Sequence, residues 1–247
     1  MDELKYSAKT DRGSVREINE DYFNIISGYP GVPAAFIIAD GMGGHNAGEI
    51  ASRTSIDYIS NLILESPEVL ADSADMAETI RGLIIKANKA VYEKSLELPE
   101  NHGMGTTLIM AVIVGNIMYI GHVGDSRIYL VKKDQMTRIT TDHSYIEELI
   151  KNGSLTREEA EKHPNRNIIT RAIGCSTDLE VDTYTCELAP EDYVVMCTDG
   201  LTSMVEETEI KNTVMGNTPA IACEELVARA IRGGGEDNIT VIVIKNE

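Results

Sequence analysis

Four short hydrophobic runs in this chain each have an aspartate at one end. Three of the runs lead into an aspartate and the fourth begins just after one, and the four residues are Asp40, Asp125, Asp199 and Asp237. Runs of this length, rich in Val and Ile and broken by Gly, are typical of buried strands. A carboxylate at the mouth of such a strand lies at the edge of a core rather than in water.

Carboxylates gathered at strand ends repel one another and are costly to keep ionised unless a cation neutralises them. Hard oxygen ligands without a cluster of His or Cys suit Mg²⁺ or Mn²⁺. The pattern therefore predicts a site for a divalent cation at one edge of a β-rich core.

The composition favours one domain. A β-rich chain of 247 residues can form a single domain, and 43% of its residues are hydrophobic, which is enough for a sizeable core. We find no long Pro/Gly/Ser linker and no repeat, so we predict one domain over residues 1–247.

The charge balance argues against two classes of partner. Lys and Arg number 22 against 40 for Asp and Glu, a net charge of −18, which does not favour nucleic acid or an anionic membrane. No apolar run approaches the roughly 20 residues that span a bilayer, and the first residues lack the layout of a signal peptide. Four scattered cysteines without metal or disulfide spacing predict a reducing, cytoplasmic location.

The order of predicted elements indicates an α+β fold. Helices are predicted over 48–64 and 73–96, and a last helix is predicted to begin at Thr218-Pro219. Three consecutive strands over 106–131 are predicted to form a meander, with the first turn at Gly115-Asn116 and the second at Gly124-Asp125-Ser126. Two capping boxes, Ser144 with Glu147 and Thr156 with Glu159, predict two short helices in a polar stretch. Local hairpins and paired helices favour antiparallel sheets covered by helices over a doubly wound βαβ fold.

Six motifs follow one another in a fixed order along nearly the whole chain. They are Arg16-Glu17-Ile18-Asn19-Glu20-Asp21, Asp40-Gly41-Met42-Gly43-Gly44-His45, Gly103-Met104-Gly105-Thr106-Thr107, Gly121-His122-Val123-Gly124-Asp125-Ser126-Arg127, Thr198-Asp199-Gly200 and Asp237-Asn238-Ile239-Thr240. Together they resemble the metal-dependent serine/threonine protein phosphatases of type 2C, in their compact bacterial form.

The resemblance implies both a fold and a reaction. The fold is a four-layer α-β-β-α sandwich of two antiparallel sheets flanked by helices, with a small flap subdomain at about 144–171. The reaction is hydrolysis of phosphoserine or phosphothreonine by a water that two Mn²⁺ or Mg²⁺ ions activate for in-line attack on the phosphomonoester.

The resemblance also assigns metal ligands. Asp40 matches the bridging ligand, Gly41 the residue that offers its carbonyl, and Asp199 and Asp237 the remaining direct carboxylates. Asp125, with Asp199, matches a weaker third position, although Gly-Asp-Ser is also a good turn. Glu20 and Asp21 match acids that hold metal-bound water. At the position where some eukaryotic relatives carry an acid, this chain has Ser203, which leaves one ligand of that third position in doubt.

Two further residues receive catalytic or binding roles from the resemblance. Arg16 matches the phosphate clamp, since a guanidinium donates two parallel hydrogen bonds to phosphate; the alternative is a surface ion pair with Glu17 or Glu20. His45 is a candidate general acid for the leaving serine or threonine oxygen, and the alternative is a histidine that only holds its loop. His122, in the predicted strand 118–123, is expected to be either a core histidine with its hydrogen bonds satisfied or a histidine that supports the site from behind the metal ligands.

Three functions remain open at this point. The first is a cytoplasmic, monomeric phosphatase that opposes a bacterial Ser/Thr kinase and acts on its substrates and on the kinase itself. The second is a phosphatase of a small regulator in a partner-switching circuit; such relatives commonly lack the clamping arginine, so Arg16 favours the first. The third is a catalytically silent scaffold that binds phosphoproteins, against which the complete set of ligand aspartates argues.

Overall fold

Two antiparallel β-sheets face each other, and helices cover the outer face of each sheet. The computed structural model describes residues 4–43, 47–71, 73–160 and 163–247. The predicted α+β four-layer sandwich is therefore confirmed. Within the described residues, no helix is both long enough and apolar enough to cross a bilayer.

The first sheet joins the two ends of the described chain. Its first strand pairs with the last one, so that Leu4 lies opposite Asn246. In spatial order its strands are β1 (Leu4–Asp11), β11 (Ile239–Asn246), β10 (Tyr193–Cys197), β7 (Arg127–Val131) and β8 (Met136–Arg138).

The second sheet contains the hydrophobic run that leads into Asp40. In spatial order its strands are β2 (Asp21–Ile26), β3 (Ala34–Met42), β5 (Leu108–Val114), β6 (Ile117–Val123) and β9 (Asp182–Glu187), with the short β4 (Gly105–Thr106) paired to β3. The register of β2 on β3 places Asp21 directly opposite Asp40.

The helices form the two outer layers and the flap. In chain order they are α1 (Ala47–Glu65), α2 (Glu68–Ala71), α3 (Met76–Ser95), α4 (Tyr145–Lys151), α5 (Arg157–Ala160), α6 (Asp199–Thr202), α7 (Glu207–Met215) and α8 (Pro219–Arg232), with a short 3₁₀ turn at Pro99–Asn101. The two long helices predicted from hydrophobic spacing correspond to α1 and α3, and the helix predicted after Thr218 is α8.

The sequences of these strands are continuous apolar runs because both faces of each strand are buried. On β3, Phe36 and Ile38 contribute to the core between the sheets, whereas Ala35, Ile37 and Ala39 pack beneath α1 and α3. On β11, Ile242 and Ile244 lie between the sheets, and Val241 and Val243 face the side covered by α8. Alternate residues thus fill two different cores.

One local prediction is wrong. Three strands do follow one another between Thr106 and Val131, but only β5 and β6 pair, and β7 belongs to the other sheet. The turn at Gly124-Asp125-Ser126 therefore crosses between sheets instead of closing a hairpin. The pattern could not distinguish the two outcomes, because strands buried on both faces look alike whichever sheet they join. The crossing places Asp125 at the edge where the sheets meet.

Candidate metal centre

Five aspartates from both sheets converge at this edge. Asp21 and Asp40 lie on neighbouring strands of the second sheet, Asp125 lies in the turn between sheets, Asp199 opens α6 after β10, and Asp237 precedes β11. The pKa of Asp40 is raised well above its usual value by burial first, and then by the charges of the other four. All five therefore lie within electrostatic reach of one another.

The same crowding affects the other carboxyl groups. Burial, with the charges of Asp199 and Asp237, raises the pKa of Asp21 to about 7. Burial, with the charges of Asp199 and Asp142, raises the pKa of Asp125 to about 7. Burial and the charge of Asp237 raise the pKa of Asp199. The carboxyl groups at this edge resist ionisation because they are buried and repel one another. A bound cation would be favoured here, since its charge would remove the repulsion between the carboxylates.

Hydroxyl groups fix the backbone at Asp40. Its N–H donates to Thr107 Oγ1 at 2.9 Å, and its carbonyl accepts from the N–H of Thr107 at 2.9 Å and from Thr106 Oγ1 at 2.9 Å. Thr107 Oγ1 also lies 2.8 Å from Ser126 Oγ, beside Asp125. These bonds connect the end of β3 to the turn that carries Asp125.

The glycine at position 41 is required by packing. A Cβ there would lie 2.1 Å from the carbonyl oxygen of Gly48 and 2.7 Å from that of Glu20, distances that no side chain tolerates. The first turn of α1 therefore lies directly on this strand end. Glu20 accepts a backbone hydrogen bond from Gly48, and burial raises the pKa of its carboxyl group. The sequence indicated a close backbone approach to an ion, and the structure adds this second reason for glycine.

Arg16 contacts a partner that the sequence did not predict. Its Nη2 donates to Asp237 Oδ2 at 2.7 Å, and the N–H of Asn238 donates to Asp237 Oδ1 at 2.8 Å. Both carboxylate oxygens of Asp237 therefore already accept a hydrogen bond. The side chains of Arg16 and Asp237 are 48% and 37% exposed, so this ion pair lies at the mouth of the site. The surface-pair alternative named Glu17 or Glu20, and neither is the partner.

Asn238 is a structural residue that the sequence reasoning passed over. Its buried side chain donates to the carbonyls of Arg12 and Ile18, each at 2.9 Å, and accepts from the N–H of Glu20 at 2.8 Å. It thus anchors the loop that carries Arg16 to the start of β11. Its place in the Asp237-Asn238 motif was the available signal.

The flap is anchored by a histidine and an arginine to which no role was given. His143 Nδ1 accepts from the N–H of Gly124 at 3.1 Å, and its Nε2 lies 3.2 Å from Asp182 Oδ2. Arg127 donates three hydrogen bonds to the buried Asp142, the shortest of them 2.7 Å. Both contacts tie the base of the flap to the turn that carries Asp125.

The two ends of the flap pair with each other. Ser144 bridges to Ile169, and the N–H of Thr170 donates to the carbonyl of His143 at 2.8 Å. Ser144 caps α4 by accepting from the N–H of Glu147, and Thr156 and Glu159 form the reciprocal bonds of a capping box. A groove of about 530 Å³ runs between the flap and α6–α7, and Asp125, Asp199 and Ser203 line it.

Of the two histidines singled out in the sequence, the structure describes one. His45 lies outside the described residues. His122 is fully buried, as predicted, with its ring centroid 4.7 Å from that of His143. Neither of its ring nitrogens has a hydrogen-bond partner among the described residues, so the prediction that this histidine is satisfied is wrong. Burial lowers the pKa of His122 to about 3, so the ring is neutral.

The residues fit hard divalent cations, although they do not form a closed cage as they stand. In the described ranges, no three His, Cys, Asp or Glu side chains are gathered closely enough to hold an ion. The donors are carboxylate and carbonyl oxygens, and Asp21 Oδ1 is buried without a hydrogen-bond partner among the described residues. An orphaned carboxylate oxygen beside four other carboxylates suits a hydrated Mg²⁺ or Mn²⁺.

Known proteins are similar to this chain over most of their length. The family described as Protein phosphatase 2C matches residues 11–227. The Serine/threonine phosphatase stp of Listeria monocytogenes is 36% identical over 241 residues, which cover 97% of this chain and 94% of the relative.

Two solved structures extend the likeness to three dimensions. The Mycobacterium tuberculosis serine/threonine phosphatase PstP/Ppp superimposes with a TM-score of 0.88 at 35% identity, covering 99% of each chain. The catalytic domain of serine threonine protein phosphatase PstP, in complex with 2 manganese ions, has a TM-score of 0.84 at 33% identity, covering 98% of this chain and 97% of that one. The chain thus belongs to the protein phosphatase 2C family and is a serine/threonine protein phosphatase.

Proposed function

We propose that this phosphatase uses two Mn²⁺ or Mg²⁺ ions held by Asp40, the Gly41 carbonyl, Asp199 and Asp237, with Asp125 and Asp199 forming a weaker third site. The observation that carries the proposal is the convergence of five buried or half-buried aspartates, four of which have pKa values raised by burial and mutual repulsion. When bound, such ions supply an activated water and stabilise the attacking and leaving oxygens of an in-line displacement.

The chain's own residues then bind and orient the phosphate. Arg16 leaves Asp237 and donates two parallel hydrogen bonds to phosphate oxygens. Its exposure at the mouth of the site supports this role, because the guanidinium can reach an incoming group. Glu20 and Asp21 orient water around the cations. His45 protonates the serine or threonine oxygen as it leaves.

Substrates are phosphorylated proteins, and we propose that they are substrates of a Ser/Thr kinase together with that kinase. The groove beside Asp125 and Asp199 supports a role for the flap, residues 144–171, in substrate choice within a single catalytic domain. We propose a monomer, because the set of ligands assigned above is complete without a residue from a second copy. The four cysteines are unpaired thiols, which supports a cytoplasmic location.

The test is hydrolysis of a phosphothreonine peptide in the presence of Mn²⁺, Mg²⁺, Ca²⁺ or a chelator. We expect turnover with Mn²⁺ or Mg²⁺ and none with the chelator. In the same assay Asp199→Asn should lose turnover, and Asp134→Asn, which removes one carboxylate from an exposed turn, is its matched control for charge and should keep it. Absence of metal-dependent turnover by the wild-type protein would refute the proposal. A phosphorylated regulator of the partner-switching type, assayed beside the peptide, distinguishes the two phosphatase alternatives.

A further inference from the structure

Asp21 is held by two hydroxyl groups on a single carboxylate oxygen. Thr240 Oγ1 donates to Asp21 Oδ2 at 2.7 Å, and Thr198 Oγ1 donates to the same oxygen at 2.9 Å. The other oxygen, Oδ1, is buried without a hydrogen-bond partner among the described residues. The carboxylate is thus satisfied on one side only, and a buried, unsatisfied oxygen is costly unless another group completes it.

The direction of the hydrogen bonds to Thr240 follows from its neighbours. The side-chain amide of Asn19 donates to Thr10 Oγ1 at 2.8 Å, an orientation that agrees with its Oδ1 accepting from the N–H of Asp21. Thr240 has one hydroxyl hydrogen, which it donates to the carboxylate of Asp21, so Thr10 Oγ1 is the donor across its 2.7 Å contact with Thr240 Oγ1. Aligned bonds of this kind strengthen one another.

The hydroxyl hydrogen of Thr198 is also directed to Asp21. The N–H of Thr240 donates to Thr198 Oγ1 at 3.0 Å, which leaves the hydroxyl hydrogen of Thr198 for Asp21. Both hydroxyl groups belong to the first sheet, at the end of β10 and on β11, whereas Asp21 begins β2 of the second sheet. The contact therefore spans the open edge of the sandwich, where Asp40 lies opposite Asp21.

We propose that Thr198 and Thr240 are positioning residues, which occupy Asp21 Oδ2 so that Oδ1 is presented to the cation site. The inference rests on the metal-dependent function proposed above. Without either hydroxyl group the carboxylate can rotate and share its oxygens differently. Partners of direct metal ligands typically contribute about 10–100-fold to metal affinity, and since Asp21 holds metal-bound water we expect its hydroxyl partners to lie at the lower end of that range.

The experiment is calorimetric titration of the metal-free protein with Mn²⁺, together with the shift in melting temperature that Mn²⁺ produces. Thr240→Val keeps the shape and removes the hydroxyl group, and we expect its Mn²⁺ affinity to fall about 10-fold. Thr240→Ser restores the hydroxyl group and should bind nearly as the wild type does. Thr10→Val, one bond further away, is the matched control and should change the affinity by less than about threefold, because Thr240 still donates to Asp21.

The outcomes separate this inference from the proposed function. Unchanged Mn²⁺ affinity in Thr240→Val would overturn the positioning role, as would equal losses in Thr240→Val and Thr240→Ser. A lower melting temperature with unchanged Mn²⁺ affinity would mean that the hydroxyl group only stabilises the fold. If Thr240→Val does not fold, Thr240→Cys, with a weak thiol donor, takes its place with the same expectation. Failure of the wild type to bind Mn²⁺ would instead refute the metal-dependent function.

Discussion

Replacing Arg16 with alanine should raise the KM for phosphorylated substrates while leaving the affinity for Mn²⁺ unchanged or higher. The guanidinium donates to Asp237, a proposed metal ligand, at 2.7 Å. The contact uses one donor of Arg16 and one lone pair of Asp237 Oδ2, so it competes with phosphate for the guanidinium and with a cation for the carboxylate. Binding of phosphate and binding of a cation should therefore favour each other.

The magnitude follows from two opposing contacts. A charge-assisted contact with phosphate contributes about 1.5–3 kcal/mol. In the ion pair, the side chains of Arg16 and Asp237 are 48% and 37% exposed, respectively. Exposed ion pairs contribute only about 0.2–1 kcal/mol to stability. The net loss on removal of Arg16 is roughly 1–2 kcal/mol, or about a 5–30-fold rise in KM. Release of Asp237 should tighten Mn²⁺ binding by at most about fivefold.

The assay measures KM for p-nitrophenyl phosphate and a phosphothreonine peptide at saturating Mn²⁺, with the Mn²⁺ affinity measured separately by calorimetry. Arg12→Ala is the matched control, since Arg12 lies on the same loop and donates to the carbonyl of Glu17. Arg16→Lys keeps the charge without the bidentate geometry and should recover only part of the loss.

Two results would refute this reasoning. An unchanged KM for both substrates would make Arg16 an ordinary surface ion pair. A tenfold weaker affinity for Mn²⁺ would show that Arg16 supports Asp237 as a ligand instead of competing for it.

Three further predictions address the centre. Asp199→Asn should abolish turnover and weaken Mn²⁺ binding by calorimetry with a near-normal melting curve, because an amide cannot offset cation charge; full activity would mean the centre lies elsewhere. His45→Gln should lower turnover of a phosphothreonine peptide about 10²–10⁴-fold while sparing p-nitrophenyl phosphate, whose leaving group needs little protonation; equal losses would make His45 a loop anchor. In chelator, melting temperature should fall as pH rises from about 4 to 7, because folding raises the pKa of Asp21 and Asp125 from 3.8 to about 7 and the folded state holds protons that the unfolded chain has released. The buried His122, whose pKa is lowered from 6.5 to about 3, offsets part of this fall below pH 6.5. Mn²⁺ should offset that fall, and a melting temperature that rises with pH in chelator would contradict the argument.

Local patterns in the sequence were sufficient for the elements and for the residues at their ends. Continuous apolar runs identified the buried strands, and the capping residues Ser144, Thr156 and Thr218 marked where helices begin. The aspartates at the strand ends were enough to indicate a cation site, because charge at the edge of a core needs compensation. These inferences succeed because spacing and capping act over a few residues.

Contacts between the sheets depend on how the strands pair in three dimensions. Arg16 lies 221 positions from Asp237, and Thr198 lies 177 from Asp21, so no local pattern relates them. The sheet that β7 joins was also undetermined, since a strand buried on both faces carries the same pattern in either sheet. The order of residues along the chain specifies which groups carry charge and which strands are buried. Strand order and register specify which of those groups meet, because the energy of a polar contact depends on distances that chain pairing sets.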